Sequence, residues 1–313
     1  MKSGDQMNAV LKAMKTGPKL PPLKHALHKV MARTERGRSL QNLHASDLTK
    51  WGGFCPRERA LYLLLGMDPK SEFVTTADAV TWNMGHVLQD QVTQALADAG
   101  MAVGDWECLS CGRERAFSKR PVECDCGHRR FRYRECRFVS AVSGISGGID
   151  VFVDRGTGKL HVVEVKTIEK DGFKALVKPQ LEHEFRTRMY LRIIAESDQP
   201  QASMVHLDDA VVLYIVKGGW GEKDPGIKAA GIADGEYSPF KEFTVSRRDA
   251  DSDALWQAGT AVKRFREEGV VPAGICPNAF AKKASFCKVS APCFSAQYPA
   301  GKVSEEWLSK QVK

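Results

Sequence analysis

The run Gly147-Gly148-Ile149-Asp150-Val151, with Glu164-Val165-Lys166 opening fourteen residues after the aspartate, constrains this chain more than any other stretch. Residues 149–153 read as one strand. Asp154-Arg155-Gly156-Thr157-Gly158-Lys159 has the Gly/Asp chemistry of a short hairpin loop, and 160–167 reads as a second, valine-rich strand. Side chains alternate across a strand, so Glu164 and Lys166 share one face and Val165 takes the other. With Asp150 alongside, the hairpin offers two hard oxygen ligands for Mg²⁺ or Mn²⁺ and an adjacent cation. That set suits phosphodiester hydrolysis, in which a metal polarises the phosphate and acidifies a bound water while a lysine orients that water or balances charge. The competing reading is a surface hairpin whose Glu and Lys are merely solvated neighbours. Against it stands the apolar run Leu160-His161-Val162-Val163, because charge emerging from a buried strand is costly unless paired or metal-bound.

The same residues resemble a known family. Gly-Gly-Ile-Asp150, a hairpin, and then Val-Val-Glu164-Val-Lys166-Thr are similar to the core of the PD-(D/E)XK nucleases. The nearest resemblance is to the RecB-like branch, with its AddB, CRISPR-associated and phage exonucleases. Three further segments follow in the family's order. Ala45-Ser46-Asp47-Leu48 with Phe54-Cys55-Pro56-Arg57 resembles the opening helix of the iron–sulfur members, Glu182-His183 through Arg186 and Tyr190 the helix after the catalytic lysine, and 212–217 a late strand. The resemblance spans roughly residues 44 to 295. It implies an α/β, restriction-endonuclease-like core with a mixed central sheet flanked by helices. It implies Asp150, Glu164 and Lys166 as catalytic residues, with Asp150, Glu164 and the Val165 carbonyl as ligands of Mg²⁺ or Mn²⁺.

This sequence departs from the family at two helices. Where members carry Gln-x-x-x-Tyr, the position before Tyr190 is Arg186. Where members carry Gly-x-x-x-His, Gly85 is followed four residues later by Gln89, and the histidine is His86, one helical turn earlier on roughly the same face. The departures leave the metal ligands in place and bear on how substrate is held. Glu135, in Tyr133-Arg134-Glu135, is an additional acidic candidate, with a structural ion pair as the alternative.

The chain has nine cysteines, an odd number, and its first residues lack the apolar core of a secretory signal. Clustered cysteines therefore point to metal binding in a reducing compartment rather than to disulfides. Cytoplasm is the expected location, the host's if the chain is phage-encoded. Cys108-Leu-Ser-Cys111-Gly, then Cys124-Asp-Cys126-Gly after twelve residues, resembles a zinc ribbon built from two glycine-closed knuckles. The second knuckle is one residue short, which leaves Cys124, Cys136 or His128 as the fourth Zn²⁺ ligand. The insert is rich in arginine, and either grips a DNA backbone or only braces the fold. Cys55 with Cys276, Cys287 and Cys293 resembles the [4Fe-4S] arrangement of AddB and the CRISPR-associated nucleases, and implies a cluster stapling the two chain ends together. Four unrelated cysteines, or a second zinc site, are the alternatives.

Charge is distributed unevenly: residues 1–40 carry +7 of the net +8. The stretch 1–43, with its Gly-Pro and Pro-Pro pairs, reads as a basic, flexible or partly helical arm, which either lies along nucleic-acid phosphates or only aids solubility. The nuclease-like domain covers 44–298, with the insert at 106–136 and the cysteine-rich segment at 276–293; 299–313 is a tail. Within it, a helix starts with Ser46 as N-cap and continues through Cys55 to Leu65, and a second covers 81–99 with Val80, Met84, Val87, Leu88, Val92 and Leu96 as its apolar stripe. Strands are expected near 137–142, 149–154, 160–167 and 210–217, and helices over 180–196 and 247–268. Trp51, Trp82, Trp106 and Trp220 read as packing residues. No glycine-rich phosphate loop supports an ATP-driven activity.

Three functional readings stand. The first is a metal-dependent deoxyribonuclease, with exonuclease action at the ends of single- or double-stranded DNA, serving phage-type recombination, replication or degradation alongside a recombinase, helicase or single-strand-binding protein. The second is a non-catalytic nucleic-acid-binding scaffold that keeps the fold. The third is a sequence-specific endonuclease. The intact Asp150, Glu164 and Lys166 favour the first.

Overall fold

The computed structural model describes residues 23–35, 43–49, 54–67, 72–218, 221–229, 237–295 and 300–302. Most of the basic arm, the C-terminal tail from 303, Trp51 and Trp220 lie outside the described residues. The chain divides into two units, one of residues 1–37 and 70–84, the other of 38–69 and 85–313.

In the first unit, the helix Leu23–Met31 is followed by the strand Arg33–Glu35, which pairs antiparallel with Glu72–Val74. The helix Thr76–Asp98 starts here, five residues before the expected start. Thr75 and Asp78 explain the difference by capping each other: the Thr75 hydroxyl accepts the Asp78 N–H, and the Asp78 carboxylate accepts the Thr75 N–H. Trp82 is 47% exposed and does not serve as a packing residue.

The second unit opens with β1 (Leu43–His44), α1 (Ala45–Leu48) and α2 (Pro56–Leu64). The single helix expected from Ser46 to Leu65 is thus two. His44, not Ser46, caps the first; Cys55 caps the second, its sulfur accepting the Glu58 N–H, and Pro56 supplies a preset first helical residue. Next come α3, the part of Thr76–Asp98 from Gly85 on, then β2 (Ala102–Cys108), β3 (Glu114–Lys119), β4 (Phe131–Arg134), β5 (Cys136–Val139), β6 (Ile145–Ile149), β7 (Val151–Asp154) and β8 (Leu160–Glu169). After these follow α4 (Leu181–Ala195), β9 (Asp209–Lys217), β10 (Phe240–Ser246) and α5 (Asp249–Glu268). Among the described residues, no helix is long and apolar enough to cross a membrane.

A seven-stranded mixed sheet in the order β10-β9-β8-β7-β2-β3, with β4 also on β2, forms the centre. Only β8 and β9 run parallel within it, joined by a crossover that carries α4. Strand β8 is buried on both faces, as a central strand between two helical layers must be. Val162 packs on the α4 side with Met189, Leu191 and Ile193. Val163 and Val165 pack on the α3 side with Leu88, Val92 and Leu96. The outer part of the expected apolar stripe, Val80, Met84 and Val87, is 43% or more exposed. A second, three-stranded sheet has the order β1-β6-β5.

The expected strand 149–153 is broken at Asp150. Before it, β6 belongs to the small sheet; after it, β7 belongs to the large one. The β7–β8 ladder stops at Val151 opposite Val163, and the Asp150 carboxylate then accepts the Val165 N–H at 2.8 Å. A side chain thus takes the donor on β8 that a continuing strand would have used.

Candidate metal and phosphodiester site

Glu164 and Lys166 project from the α4 face of β8, in line with Val162, while Asp150 reaches them from the break between β6 and β7. The Lys166 Nζ lies 2.6 Å from Glu164 Oε1, 3.4 Å from Asp150 Oδ2 and 3.0 Å from the Val165 carbonyl. All three line a cavity of about 550 Å³ whose walls also include Glu135, His86, Gln89, Arg186 and Tyr190. Asp150, Glu164, Lys166 and the supporting residues expected around them therefore line one cavity, while Val165 brings only its carbonyl toward Lys166. Arg186 stands with a guanidinium nitrogen 3.7 Å from Glu164 while bonding Glu182 one turn back. Gly147 and Gly148 let the backbone come close: a Cβ on Gly147 would lie 2.8 Å from the Tyr190 ring, and one on Gly148 2.8 Å from Glu135.

Electrostatically, the pocket is strained toward a cation. The Glu164 side chain is 1% exposed, and neither of its oxygens has a hydrogen-bond partner; Lys166 stands at ion-pair distance, but not at a hydrogen-bonding angle. Burial, and then the Asp150 charge, push the Glu164 carboxyl up to about 8. Burial opposes the Lys166 ammonium, yet Asp150 and Glu164 together hold its pKa above the ordinary value. Burial followed by Asp150 also raises Glu135. Buried carboxylate oxygens that accept no hydrogen bond, beside a second carboxylate and the Val165 carbonyl, are the donor chemistry a Mg²⁺ or Mn²⁺ ion takes. The residues fit the ion.

Two residues of this wall carried no signal of their own in the sequence. His44 shares a 2.7 Å hydrogen bond with Ser146, and Arg137 approaches the same ring at 3.4 Å. They sit on β1, β6 and β5 of the small sheet. Only that sheet's pairing brings them together. Deeper in, the His183 ring hydrogen-bonds Tyr214 at 2.8 Å; burial and then Lys166 and Arg186 push its pKa down to about 3, so it is neutral.

In the insert, Cys108, Cys111, Cys124 and Cys126 bring four sulfurs within 4.8 Å of one another. The two knuckles mirror each other, with Gly112 and Gly127 in left-handed turns that return their N–H groups to the Cys108 and Cys124 carbonyls. Backbone donors, the Cys111 N–H first among them, bring the Cys108 thiol down to about 7, toward the thiolate a metal binds. The His128 carbonyl accepts the Cys124 N–H, and Cys136 is buried in the main core, its thiol raised to about 12 by burial and then by Asp105. This four-cysteine group is a competent metal site.

Cys55, Cys276, Cys287 and Cys293 line a separate, mostly apolar cavity of about 210 Å³. Arg57 reaches from α2 to the Cys293 carbonyl and sulfur and to the Pro272 carbonyl, so direct hydrogen bonds already join the two ends of this unit. Burial raises Cys287 to about 11.

No family model matches the chain, and no curated protein does. Similar solved structures include the crystal structure of SSO0001, 13% identical over 78% of this chain and 84% of that one, with a TM-score of 0.36. Another is an alkaline exonuclease, LHK-Exo, from Laribacter hongkongensis, 10% identical over 76% of this chain and 90% of that one, with a TM-score of 0.38.

Proposed function

We propose that this chain is a divalent-metal-dependent nuclease that hydrolyses DNA, in the manner of RecB-like PD-(D/E)XK exonucleases. The observation that carries the reading is the Glu164 carboxylate: buried, without a hydrogen bond, and held between Asp150 and Lys166. Asp150, Glu164 and the Val165 carbonyl are the ligands we assign to Mg²⁺ or Mn²⁺. When bound, the ion polarises a phosphate and acidifies a water. The remaining work falls to the protein. Lys166, held cationic by two carboxylates, cannot serve as the base; it donates hydrogen bonds, orients the attacking water and offsets charge growing on the phosphate. Arg186, Arg137 and His44 line the wall where a phosphate backbone would lie. Glu135 is a supporting carboxylate.

The four-cysteine insert is assigned Zn²⁺, and Cys55, Cys276, Cys287 and Cys293 a [4Fe-4S] cluster, which keeps its thiolates farther apart than a single ion does. End-directed action on DNA, a place in phage-type recombination, replication or degradation, and the company of a recombinase, helicase or single-strand-binding protein follow from the family resemblance alone.

One observation favours the scaffold alternative: Arg186 and Lys166 already flank Glu164 with positive charge. Incubation of the anaerobically purified protein with end-labelled single- and double-stranded DNA separates the two. Shortening that needs Mg²⁺ or Mn²⁺ and stops with EDTA supports the nuclease. Intact DNA at full metal loading transfers the molecule to the scaffold reading.

A further inference from the structure

Away from the pocket and the ribbon, three potential ligands converge from separate segments. His161 lies near the start of β8, Asp209 opens β9, and His206 sits in the connection leading into β9. One ligand atom from each lies within 4.8 Å of the other two. We propose that His161, His206 and Asp209 form a further metal site that takes zinc or a similar imidazole-binding divalent cation, with one position open to solvent.

Distances carry the argument. Asp209 Oδ1 is 3.9 Å from His161 Nδ1 and 3.5 Å from His206 Nε2. Both gaps are too long for good hydrogen bonds. They are close to what a shared ion imposes: bonds of about 2.0–2.2 Å in a tetrahedron hold neighbouring ligand atoms roughly 3.3–3.6 Å apart. The two edges at Asp209 thus lie within a few tenths of an ångström of that spacing, and the edge between the two rings is no longer than 4.8 Å.

The surroundings are built for it. The His206 N–H donates to the Leu160 carbonyl at 2.8 Å, and Val205 bridges to Leu160, so the backbone places His206 over β8 without help from the side chains. Thr157, in the hairpin loop, holds the far nitrogen of His161 at 3.1 Å, leaving Nδ1 turned to Asp209. A metal-bound imidazole needs such an orienting partner on its second nitrogen. His161 lies on the opposite face of β8 from Glu164, about 10 Å along the strand, so the site is distinct from the carboxylate pocket. Two nitrogens and one carboxylate oxygen select zinc-like ions over Mg²⁺. Such an ion would tie the start of β8 to the start of β9, the parallel pair whose first strand carries Glu164 and Lys166.

Cobalt substitution tests the site in the whole protein. The chelator-stripped chain is titrated with Co²⁺ in excess Mg²⁺, which holds the carboxylate pocket. Thiolate-to-cobalt charge-transfer absorption reports the cysteine sites, whereas nitrogen and oxygen ligands give only weak visible bands. Wild type is expected to bind one Co²⁺ more than Asp209→Asn, with identical thiolate absorption. Asp209→Asn preserves shape, and His206→Ala should lose the same equivalent. Thr157→Val, which leaves all three ligands in place, should weaken that equivalent by about 10–100-fold. Equal cobalt stoichiometry in wild type and Asp209→Asn overturns the proposal, as does an extra equivalent that Mg²⁺ displaces.

Discussion

Between Trp106 and Cys136, charged side chains find partners within the insert or beside it. Arg113 and Arg115 flank Asp125, Arg129 meets Glu123, Arg132 meets Glu107, and Arg134 bridges Glu107 and Glu114. Around Asp150 the reverse holds: Glu164 is buried with both oxygens lacking a hydrogen bond, and its proton is retained well above the ordinary carboxylate range. A region that answers its own charges is finished as structure. A region that leaves them unanswered awaits a ligand. The insert's arginines, taken from sequence as either a DNA grip or a brace, are largely engaged in bracing; in the pocket Asp150 accepts from Val165 and both carboxylates face Lys166, yet neither Glu164 oxygen accepts a hydrogen bond.

The largest effect that separates the regions comes from the ribbon. Cys111→Ala should cost one full equivalent of bound metal and leave 106–136 open to protease, because such a polar segment has little core to fold around without an ion. Metal-dependent cleavage at the carboxylate pocket should persist. If cleavage vanishes while the rest of the chain stays folded, the ribbon takes part in the chemistry and the contrast fails.

The pocket should respond to pH where the ribbon's ion pairs do not. With the folded Glu164 pKa near 8 and the unfolded value near 4.5, the folded state holds a proton that the unfolded chain has lost in that window. Metal-free stability should therefore fall as pH rises from about 4.5 to 8, by up to about 1.4 kcal/mol per unit. Denaturant titrations should show that slope flattened in Glu164→Gln. Divalent-ion affinity should rise across the same window as the proton is displaced. A flat wild-type profile would contradict the assignment of strain to Glu164.

A smaller cost is expected at Gly147→Ala. The new methyl meets the buried Tyr190 ring, for about 1–3 kcal/mol of overpacking and a displaced pocket wall. An unchanged unfolding midpoint would show that the close approach is not tight. Smallest of all is Arg115→Gln, which removes one half-exposed ion pair with Asp125. Its unfolding midpoint should match wild type, and the salt dependence of DNA binding should not change. A slope lower by about one unit would instead make Arg115 a phosphate contact.

What the sequence disclosed follows the reach of each signal. The knuckles Cys108–Cys111 and Cys124–Cys126 lie close along the chain, so spacing and glycines announced them, although the short second knuckle left its ligand open until the turns were seen. The face shared by Glu164 and Lys166 followed from strand alternation. The break at Asp150 did not, since apolar patterning reads 149–153 as continuous and only the handover between two sheets reveals a side chain replacing a ladder bond. His44 and Arg137, 93 residues apart, carry no local pattern, and neither does the His161, His206 and Asp209 group. Sheet pairing assembles both.

The central claim is that Asp150 and Glu164 hold the ion while Lys166 acts on the water. Its most direct test measures Mn²⁺ binding by paramagnetic resonance and cleavage of end-labelled DNA in the same samples of wild type, Glu164→Gln and Lys166→Ala. Wild type should bind and cleave, Glu164→Gln should do neither, and Lys166→Ala should bind Mn²⁺ yet cleave slower by about 10²–10⁴-fold. Cleavage by Lys166→Ala at the wild-type rate, or Mn²⁺ binding unchanged in Glu164→Gln, would contradict the account.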